Sequence, residues 1–420
     1  MQQWKRTVSA AAVSAVVLGA CMLTGPSTSA SVRAASATTN DTGLLPMNST
    51  AKSAPAPASV PDIAKEARSA VLMDAATGKV LYEKGAHKEL PMASITKIMT
   101  MLLTVEAIDS GRLKWTDQVK TSEYAASMGG SQIFLEPGES MSVHDMLKGI
   151  AVASANDACV AIAEHLDGSE EAFVARMNQR AKQLGMDDTH FSNCNGLPAP
   201  NHYSSAHDIA TMSRALLQHP EITKFTSIYS DYLRKGSARP LWLVNTNKLV
   251  RFYDGVDGLK TGFTQEAKYC LSATAQKSGF RVIAVVMGEP KPKVRNAEVT
   301  GMLNWAFANY TSKVLYPAGH VMGQAKVVKG VKDKVDVVTA APVGLLTKRG
   351  EDGAYRSEVV LAKVKAPIVQ GQKVGELKVV RQGRVVSTVP LVAKVSVKRA
   401  NFVQGFGKTM KKVITFGAAD

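Results

Sequence analysis

The stretch that decides the fold runs from Pro91 to Ile108 and reads PMASITKIMTMLLTVEAI. Pro91 before it and Gly111 after it are typical start and stop signals, and the pattern between them predicts a helix from Ser94 to Ile108. Nearly every face of this helix is apolar, so we expect it to be buried inside a large domain. Lys97 stands out within the apolar first half of the helix, because it is a charged residue one turn after Ser94 on the same face.

The position of Lys97 indicates chemistry more than packing. Burying an ammonium group is costly unless the group is paired or neutralised. An amine whose pKa is lowered by burial can instead accept the proton of a neighbouring serine. The N-terminus of the helix also directs backbone N–H groups toward the place where an oxyanion would form. Ser94 is therefore a candidate nucleophile with Lys97 as its base, and the alternative is a surface lysine whose head group reaches solvent.

Strand patterns lie on both sides of this helix in the sequence. Ala70–Asp74 and Lys79–Glu83 predict a hairpin around Gly78, and Lys268–Ala275 and Phe280–Met287 predict a second one. Helical patterns fill the intervening and following sequence: Ser142–His165 with a break near Ser154 and Asn156, Ser169–Leu184, Ala206–Gln218 and Ala297–Tyr310. Strands at both ends predict an α/β (α+β) domain, an antiparallel sheet with surrounding helices in which the first and last strands meet.

The sequence changes character after Tyr310. Val-rich runs at Gly330–Thr339, Ser357–Val364 and Lys378–Val389 are separated by Gly and Pro and predict a small all-β domain. From Lys313 onward the chain has 20 Lys and Arg against 7 Asp and Glu, and it has a net charge of +16 overall. The final stretch is predicted to form an amphipathic basic helix, which suits the surface of an anionic membrane. The alternative is a helix that packs on its own β domain.

The N-terminus has the pattern of a secretory leader. Lys5 and Arg6 precede an apolar stretch, and Ala35-Ser36-Ala37 is a small-x-small cleavage signal. Lipoprotein processing at Cys21 is the alternative to ordinary cleavage. The remaining cysteines, three in number, are predicted to be buried free thiols. These patterns predict a signal peptide at 1–37, a disordered linker at 38–61, a catalytic domain at 62–311, a β-rich domain at 312–396 and an amphipathic membrane-anchor helix at 397–420.

Two further motifs supply the remaining candidate site residues. Ser154-Ala155-Asn156 lies at the predicted break between helical segments, where capping is the alternative role. In a site, the Ser154 hydroxyl would relay a proton to the leaving amine, and Asn156 would hydrogen-bond Lys97 or the substrate amide. Lys260-Thr261-Gly262 precedes a strand-like stretch and suits the edge of a sheet. Its lysine and threonine offer a cation and a hydroxyl to a carboxylate, and Gly262 lets a substrate backbone approach.

The three motifs in this order resemble the active-site set of penicillin-recognising serine enzymes. More narrowly, the chain resembles the D-alanyl-D-alanine carboxypeptidases of the low-molecular-mass penicillin-binding proteins. The resemblance spans about 61–310, continues into the β-rich domain and includes a C-terminal anchor helix. Its motifs are Met73-Asp74-Ala75-Ala76-Thr77-Gly78, Pro91-Met92-Ala93-Ser94-Ile95-Thr96-Lys97, Ser154-Ala155-Asn156-Asp157-Ala158 and Asp257-Gly258-Leu259-Lys260-Thr261-Gly262.

The resemblance implies a mechanism. Ser94 attacks the carbonyl between two D-alanines, Lys97 takes the proton, and terminal D-alanine leaves with a proton passed through Ser154. The resemblance also implies an oxyanion hole made by the backbone N–H groups of Ser94 and Phe263, with Lys260 and Thr261 on the terminal carboxylate. Relatives often have a polar residue where this chain has Phe263, so only its main-chain role carries over. Arg295 is a further candidate for the carboxylate.

Three other functions are alternatives to the carboxypeptidase. Class A β-lactamases use a glutamate to activate the deacylating water, and the corresponding stretch Leu184–Leu197 has Asp187 and Asp188 but no glutamate. We therefore expect long-lived acylation of Ser94 by penicillin. A D,D-endopeptidase acting on wall cross-links uses the same chemistry with a bulkier leaving amine. A non-catalytic wall-binding protein is the third alternative, against which the presence of Ser94 and Lys97 argues.

The expected partners follow from an exported wall enzyme. They are peptidoglycan stem peptides ending in D-Ala-D-Ala, β-lactams as covalent inhibitors, and an anionic membrane surface contacted by the C-terminal helix. We expect no nucleic-acid partner, because an exported chain meets anionic lipid and wall polymer instead. We also expect no cofactor and no metal, since the histidines lack ligand spacing, and we expect Cys270 to be a packed thiol. The predicted location is the extracytoplasmic face of the bacterial cell membrane or the cell wall.

Overall fold

The computed structural model describes residues 61–351 and 353–401. The predicted leader with Cys21, the linker and nearly all of the C-terminal helix lie outside these residues. The strands are β1 Ser69–Asp74, β2 Val80–Lys84, β3 Gln118–Lys120, β4 Ser140–Ser142, β5 Ser230–Leu233, β6 Leu241–Val244, β7 Val256–Thr264, β8 Lys268–Lys277, β9 Phe280–Glu289, β10 Tyr310–Tyr316, β11 Val321–Val328, β12 Lys334–Thr339, β13 Val343–Lys348, β14 Tyr355–Leu361, β15 Val364–Lys365, β16 Lys373–Arg381 and β17 Arg384–Ala393.

The α-helices are α1 Lys97–Asp109, α2 Glu123–Ala126, α3 Val143–Lys148, α4 Asn156–Asp167, α5 Glu170–Leu184, α6 Ala206–Leu216, α7 Thr223–Thr226, α8 Leu249–Phe252 and α9 Pro292–Asn309. A 3₁₀ turn at Ala93–Thr96 precedes α1, and a π turn at Gly149–Ala153 joins α3 to the loop before α4. Every helix among the described residues is too short or too polar to cross a lipid bilayer.

The central sheet has five antiparallel strands in the order β2-β1-β9-β8-β7. The first strand in sequence thus pairs with the last one, as predicted, because β1 lies beside β9 in the middle of the sheet. The hairpin turn at Gly78 has a φ of +75°, a conformation that glycine adopts without a steric penalty. β7 forms one edge of the sheet, which confirms the edge position predicted for Lys260-Thr261-Gly262.

Helix α1 is buried, and its start differs from the prediction. All of its residues from Lys97 to Val105 are buried, as expected for a helix without a polar face. Ser94, however, lies in the 3₁₀ turn, and the α-helix begins only at Lys97. The reason is local, since Ala93 has a left-handed φ of +49° and the Thr96 hydroxyl bonds back to the Ala93 carbonyl.

The chain after α9 forms a separate six-stranded sheet in the order β14-β16-β17-β12-β11-β15. It encloses its own core of mainly valine and leucine side chains. Within the predicted Val-rich run Lys378–Val389, Arg381 ends β16 and Arg384 begins β17, and a tight turn joins the two strands. Gln382 and Gly383 in that turn both have positive φ values, and the polar Gln-Gly pair allows the reversal.

Candidate active site

The turn before α1 brings Ser94 and Lys97 together. Lys97 is fully buried, and its Nζ lies 3.0 Å from the Oγ of the partly exposed Ser94. The residue pair predicted from the sequence is therefore adjacent in the structure. Ser94 is open to the surface on one side and faces the lysine on the other.

Two carbonyl oxygens complete the surroundings of the Lys97 amine. Nζ donates to Asn156 Oδ1 over 2.6 Å and to the backbone carbonyl of Asn195. The Asn156 amide orientation is fixed, because its Nδ2 donates to the Gly129 carbonyl over 2.6 Å. Each carbonyl oxygen can only accept a hydrogen bond. A neutral amine has two N–H groups and one lone pair, so these oxygens take both N–H groups and leave the lone pair for Ser94.

The second motif lies where the helical block is interrupted. The π turn ends at Ser154, which has a left-handed φ of +66°, and α4 begins at Asn156. The Asn156 N–H donates to the Ser131 carbonyl over 2.7 Å. The fully buried Asp157 accepts the N–H groups of Ile133 and Leu135, which holds the loop that faces Asn156. The break predicted near Ser154 and Asn156 is confirmed.

Strand β7 places the third motif beside the turn Ala93–Thr96, which carries Ser94. A Cβ added to Gly262 would lie 2.8 Å from the Met92 carbonyl oxygen, so only glycine lets the strand come this close. Lys260 is buried, and its Nζ donates to the Thr261 carbonyl over 3.0 Å. Thr261 Oγ1 donates to Thr246 Oγ1 over 2.7 Å.

Phe263 and Arg295 occupy different surroundings. The Phe263 side chain is exposed and stacks on Tyr269 with 4.4 Å between ring centroids. Arg295 is buried near the start of α9, and its guanidinium donates to Asn296 Oδ1 over 2.9 Å. It lies near enough to Lys260 for the two positive charges to disfavour each other.

Burial dominates the electrostatics of the site. Removal from water lowers the pKa of Lys97 below the ordinary value of 10.5. The pKa of Lys260 is well below its ordinary value, because of burial first and the positive charges of Lys97 and Arg295 after it. Both lysines therefore lose a proton more readily than an exposed lysine, and a carboxylate beside Lys260 would reverse this trend.

A cavity of about 660 Å³ adjoins the turn that carries Ser94. Met92 and Ala93 line one side, and the loop 196–203 lines the other. Gly196 has a φ of +87°, and a Cβ on it would lie 2.1 Å from the Ala93 carbonyl oxygen. This glycine therefore permits contact between the loop and the turn that carries Ser94.

Two other kinds of chemistry are a cysteine nucleophile and a metal site. Cys159, Cys194 and Cys270 are free and buried, as predicted, and burial raises the pKa of the Cys270 thiol to about 11. Residues 61–351 and 353–401 contain no group of three or more His, Cys, Asp or Glu suited to a metal ion.

The sequence did not predict roles for Asn195, Asp157 or Thr246. Asn195 contributes its backbone carbonyl to Lys97, and a main-chain contact of this kind has no side-chain signal. Asp157 follows Asn156 directly, and its place inside the second motif was the available signal in the sequence. Thr246 lies in a loop between β6 and α8 without a recognisable motif.

Comparison with known proteins assigns the chain to a family. A family model described as D-alanyl-D-alanine carboxypeptidase matches residues 51–291, and one described as the C-terminal domain of penicillin-binding protein 5 matches residues 310–399. The chain belongs to the D-alanyl-D-alanine carboxypeptidase family. The resemblance and the fold class predicted from the sequence are confirmed.

Individual carboxypeptidases match over most of the chain. D-alanyl-D-alanine carboxypeptidase DacF of Bacillus subtilis is 51% identical over 351 residues, which are 83% of this chain and 90% of the relative. Penicillin-binding protein 5 of Haemophilus influenzae has a TM-score of 0.63 and 32% identity, covering 80% of this chain and 98% of that one. Penicillin-binding protein D2 of Listeria monocytogenes, in its ampicillin-bound form, has a TM-score of 0.52 and 32% identity, covering 58% and 98%.

Family membership establishes the activity. The chain is a serine-type D-alanyl-D-alanine carboxypeptidase, a hydrolase of the penicillin-binding group. The carboxypeptidase family acts on peptidoglycan peptides that end in D-Ala-D-Ala, so its action is extracytoplasmic. The predicted enzyme class and function are confirmed.

Proposed function

We propose that Ser94 is the nucleophile of this carboxypeptidase and that Lys97 is its general base. The observation that carries the proposal is the arrangement around the Lys97 amine. Two carbonyl oxygens accept its N–H groups, and Ser94 Oγ lies 3.0 Å from Nζ on the remaining side. Burial lowers the pKa of this amine, so Lys97 reaches its neutral, proton-accepting form more readily than an exposed lysine does.

In the acylation step, the Ser94 oxygen attacks the carbonyl carbon between the two D-alanines, and its proton moves to Lys97. The negative charge that develops on the carbonyl oxygen is stabilised by the backbone N–H groups of Ser94 and Phe263. The C–N bond then breaks, and the leaving nitrogen takes a proton from Lys97 through the Ser154 hydroxyl. The products are free D-alanine and an ester on Ser94.

The substrate carboxylate is held by the third motif. Lys260 and Thr261 bind the C-terminal carboxylate of the terminal D-alanine, and Asn156 bonds the substrate amide. Because the carboxylate is negative, its arrival favours the protonated form of Lys260, whose pKa is low in the empty site. Gly262 lies at the edge of the sheet, where a substrate backbone can approach as an added strand.

Hydrolysis of the ester regenerates the enzyme. Lys97 takes a proton from a water molecule, the water oxygen attacks the ester carbonyl, and the Ser94 oxygen leaves with a proton. The same steps apply to β-lactams, where the leaving nitrogen stays tethered to the acyl group. The stretch 184–197 contains no glutamate to activate water, so penicillin is expected to stay on Ser94. This expectation agrees with the ampicillin-bound form of the Listeria relative.

Mass spectrometry after exposure to penicillin tests this assignment. Wild type should gain the mass of one penicillin on the peptide that contains Ser94 and keep it over many minutes, whereas Ser94→Ala should gain none. A label on another peptide, or its loss within seconds, would contradict the proposal.

We also propose the domain division and the membrane contact. Catalytic residues 62–311 and β-rich residues 312–396 have separate hydrophobic cores, which supports the boundary near 311. The basic, amphipathic residues 397–420 would hold the enzyme at an anionic membrane surface. Full-length chain should sediment with vesicles of anionic phospholipid, and a chain ending at Lys398 should not. Equal sedimentation would contradict the anchor.

A further inference from the structure

His202 connects a loop of the site cavity to the nucleophile turn through three hydrogen bonds in series. The Ser192 backbone N–H donates to His202 Nδ1 over 2.9 Å, and His202 Nε2 lies 2.7 Å from Thr96 Oγ1. Thr96 Oγ1 donates to the Ala93 carbonyl over 2.8 Å. His202 and Thr96 are both buried. The series ends one residue before Ser94.

Elementary donor and acceptor rules fix the direction of every bond. The Ser192 N–H can only donate, so Nδ1 of His202 has no hydrogen and the neutral ring carries its proton on Nε2. The Thr96 hydroxyl has one hydrogen, and the Ala93 carbonyl accepts it. The Thr96 oxygen therefore accepts from Nε2–H, which agrees with the tautomer that Ser192 requires.

Burial keeps the ring in this neutral form. Removal from water lowers the pKa of His202 to about 4, and the nearby His190 and Lys97 act in the same direction. A protonated ring would place a hydrogen on Nδ1 against the Ser192 N–H. The neutral ring and the hydrogen-bond series are thus maintained at pH values well above 4.

The end of the series determines how one peptide group is oriented. The Ala93 carbonyl and the Ser94 N–H belong to the same peptide group, which is planar and trans. In a trans group the C=O and N–H bonds point in opposite directions, so holding the oxygen also fixes the hydrogen. Ala93 has a left-handed φ of +49°, which an L-residue adopts only when its surroundings hold it there.

We propose that His202 is a positioning residue of the carboxypeptidase, acting through Thr96 and the Ala93 carbonyl to aim the Ser94 N–H at the oxyanion. The inference rests on the proposed role of Ser94 and assigns His202 a function that it exerts through Thr96 and the Ala93 carbonyl. Oxyanion stabilisation depends on where the donor points, so loss of the series lowers the rate of acylation more than it changes substrate binding.

Two substitutions of His202 separate the two halves of the series. The amide oxygen of His202→Asn replaces Nδ1 as the acceptor for Ser192 and leaves Thr96 without its donor. The amide nitrogen of His202→Gln replaces Nε2 as the donor to Thr96. Removing an oxyanion donor outright costs about 10²–10³ in rate, and a misdirected donor should cost about 10–100-fold.

The experiment measures kcat and KM for D-alanine release together with the infrared carbonyl band of the penicillin acyl-enzyme. His202→Asn should lower kcat about 10–100-fold with KM within about 2-fold, and its ester carbonyl should absorb at a higher wavenumber, because a less polarised C=O bond is stiffer. His202→Gln should recover most of the rate and the wild-type band. His190→Asn, in the same loop with its ring against the Asn201 carbonyl, is the matched control and should behave as wild type.

Wild-type kcat in His202→Asn, or an unchanged carbonyl band in a slow variant, would overturn the inference. If His202→Asn fails to fold, Thr96→Val removes the same hydroxyl link, and an unaltered kcat there would overturn it equally. These results differ from a failure of the proposed function, in which penicillin would not label Ser94 of the wild-type enzyme at all.

Discussion

The Nζ of Lys97 lies 3.0 Å from the Oγ of Ser94, and the two carbonyl oxygens around that amine leave its third direction free for the serine. A protonated lysine has three N–H groups and no lone pair. The same arrangement can therefore hold a neutral base before the proton transfer and an ammonium group after it. The surroundings of Lys97 need no rearrangement between these two states.

Replacing Lys97 should remove the base while preserving the packing. Lys97→Met has a similar length and no proton acceptor, so the rate of acylation by penicillin should fall about 10²–10⁴-fold, the range typical of a general base. Stopped-flow measurement of acylation checks this. Lys148→Met is the matched control, because Lys148 is also buried but pairs with Asp231 away from the site. Its acylation rate should stay within about 3-fold of wild type. An equal fall in acylation rate in both variants would show that the rate depends on the presence of a buried lysine and not on a base at position 97.

The stability of the protein should depend on pH through Lys97. Burial lowers its folded-state pKa, so between that value and 10.5 the unfolded chain binds more protons than the folded one. Above pH 10.5 Lys97 is neutral in both states, and its full contribution to the free energy of unfolding is present. That contribution is lost as the pH falls from 10.5 through the folded-state pKa. Each such lysine adds a slope of up to about 1.4 kcal/mol per pH unit. Denaturant unfolding at a series of pH values measures the free energy of unfolding. Its slope against pH should be shallower for Lys97→Met than for wild type, and equal slopes would contradict the burial effect.

Gly196→Ala should displace the turn that carries Ser94, because it adds one Cβ atom against that turn. The added Cβ would lie 2.1 Å from the Ala93 carbonyl oxygen, which must then move together with Ser94. Gly185→Ala is the matched control, because Gly185 also has a positive φ but has open space where the Cβ would be. Both variants carry backbone strain of about 1–2 kcal/mol, and only Gly196→Ala should also lose D-alanine release, by at least about 10-fold. Similar activity in the two variants would argue against close contact at Ala93.

Cys270 should be dispensable for catalysis. It is fully buried, and the pKa of its thiol is raised to about 11, so very little thiolate exists at neutral pH. Cys270→Ala should keep kcat within about 3-fold of wild type, allowing for a small packing defect. Iodoacetamide should not modify Cys270 in the folded enzyme, although it should do so in denaturant. Rapid labelling of the native protein would show that the thiol is more accessible than the structure indicates.

The sequence predicted Lys97 as a buried lysine next to Ser94, because its surroundings in the chain are so apolar. It also predicted the two hairpins and their meeting in one sheet, since both rest on short-range turn signals and on strand patterns at the two ends of the domain. The start of α1 was predicted at Ser94 and lies at Lys97. The difference arises from Ala93, whose left-handed backbone depends on contacts with residues 96, 196 and 262.

The remaining parts of the site depend on contacts that the sequence does not display. Asn195 acts through its carbonyl and Asp157 through backbone N–H groups of a distant loop. His202 lies 106 residues after Thr96, and nothing in its local sequence distinguishes it from a surface histidine. Such residues are identified only when the fold brings the loop 190–203 against the turn that carries Ser94.

Release of free D-alanine from a peptide ending in D-Ala-D-Ala, compared between wild type and Ser94→Ala, tests the central claim most directly. We expect steady release by the wild type and none above background by a folded Ser94→Ala variant. Equal release by the two proteins would contradict the assignment of Ser94 as the nucleophile.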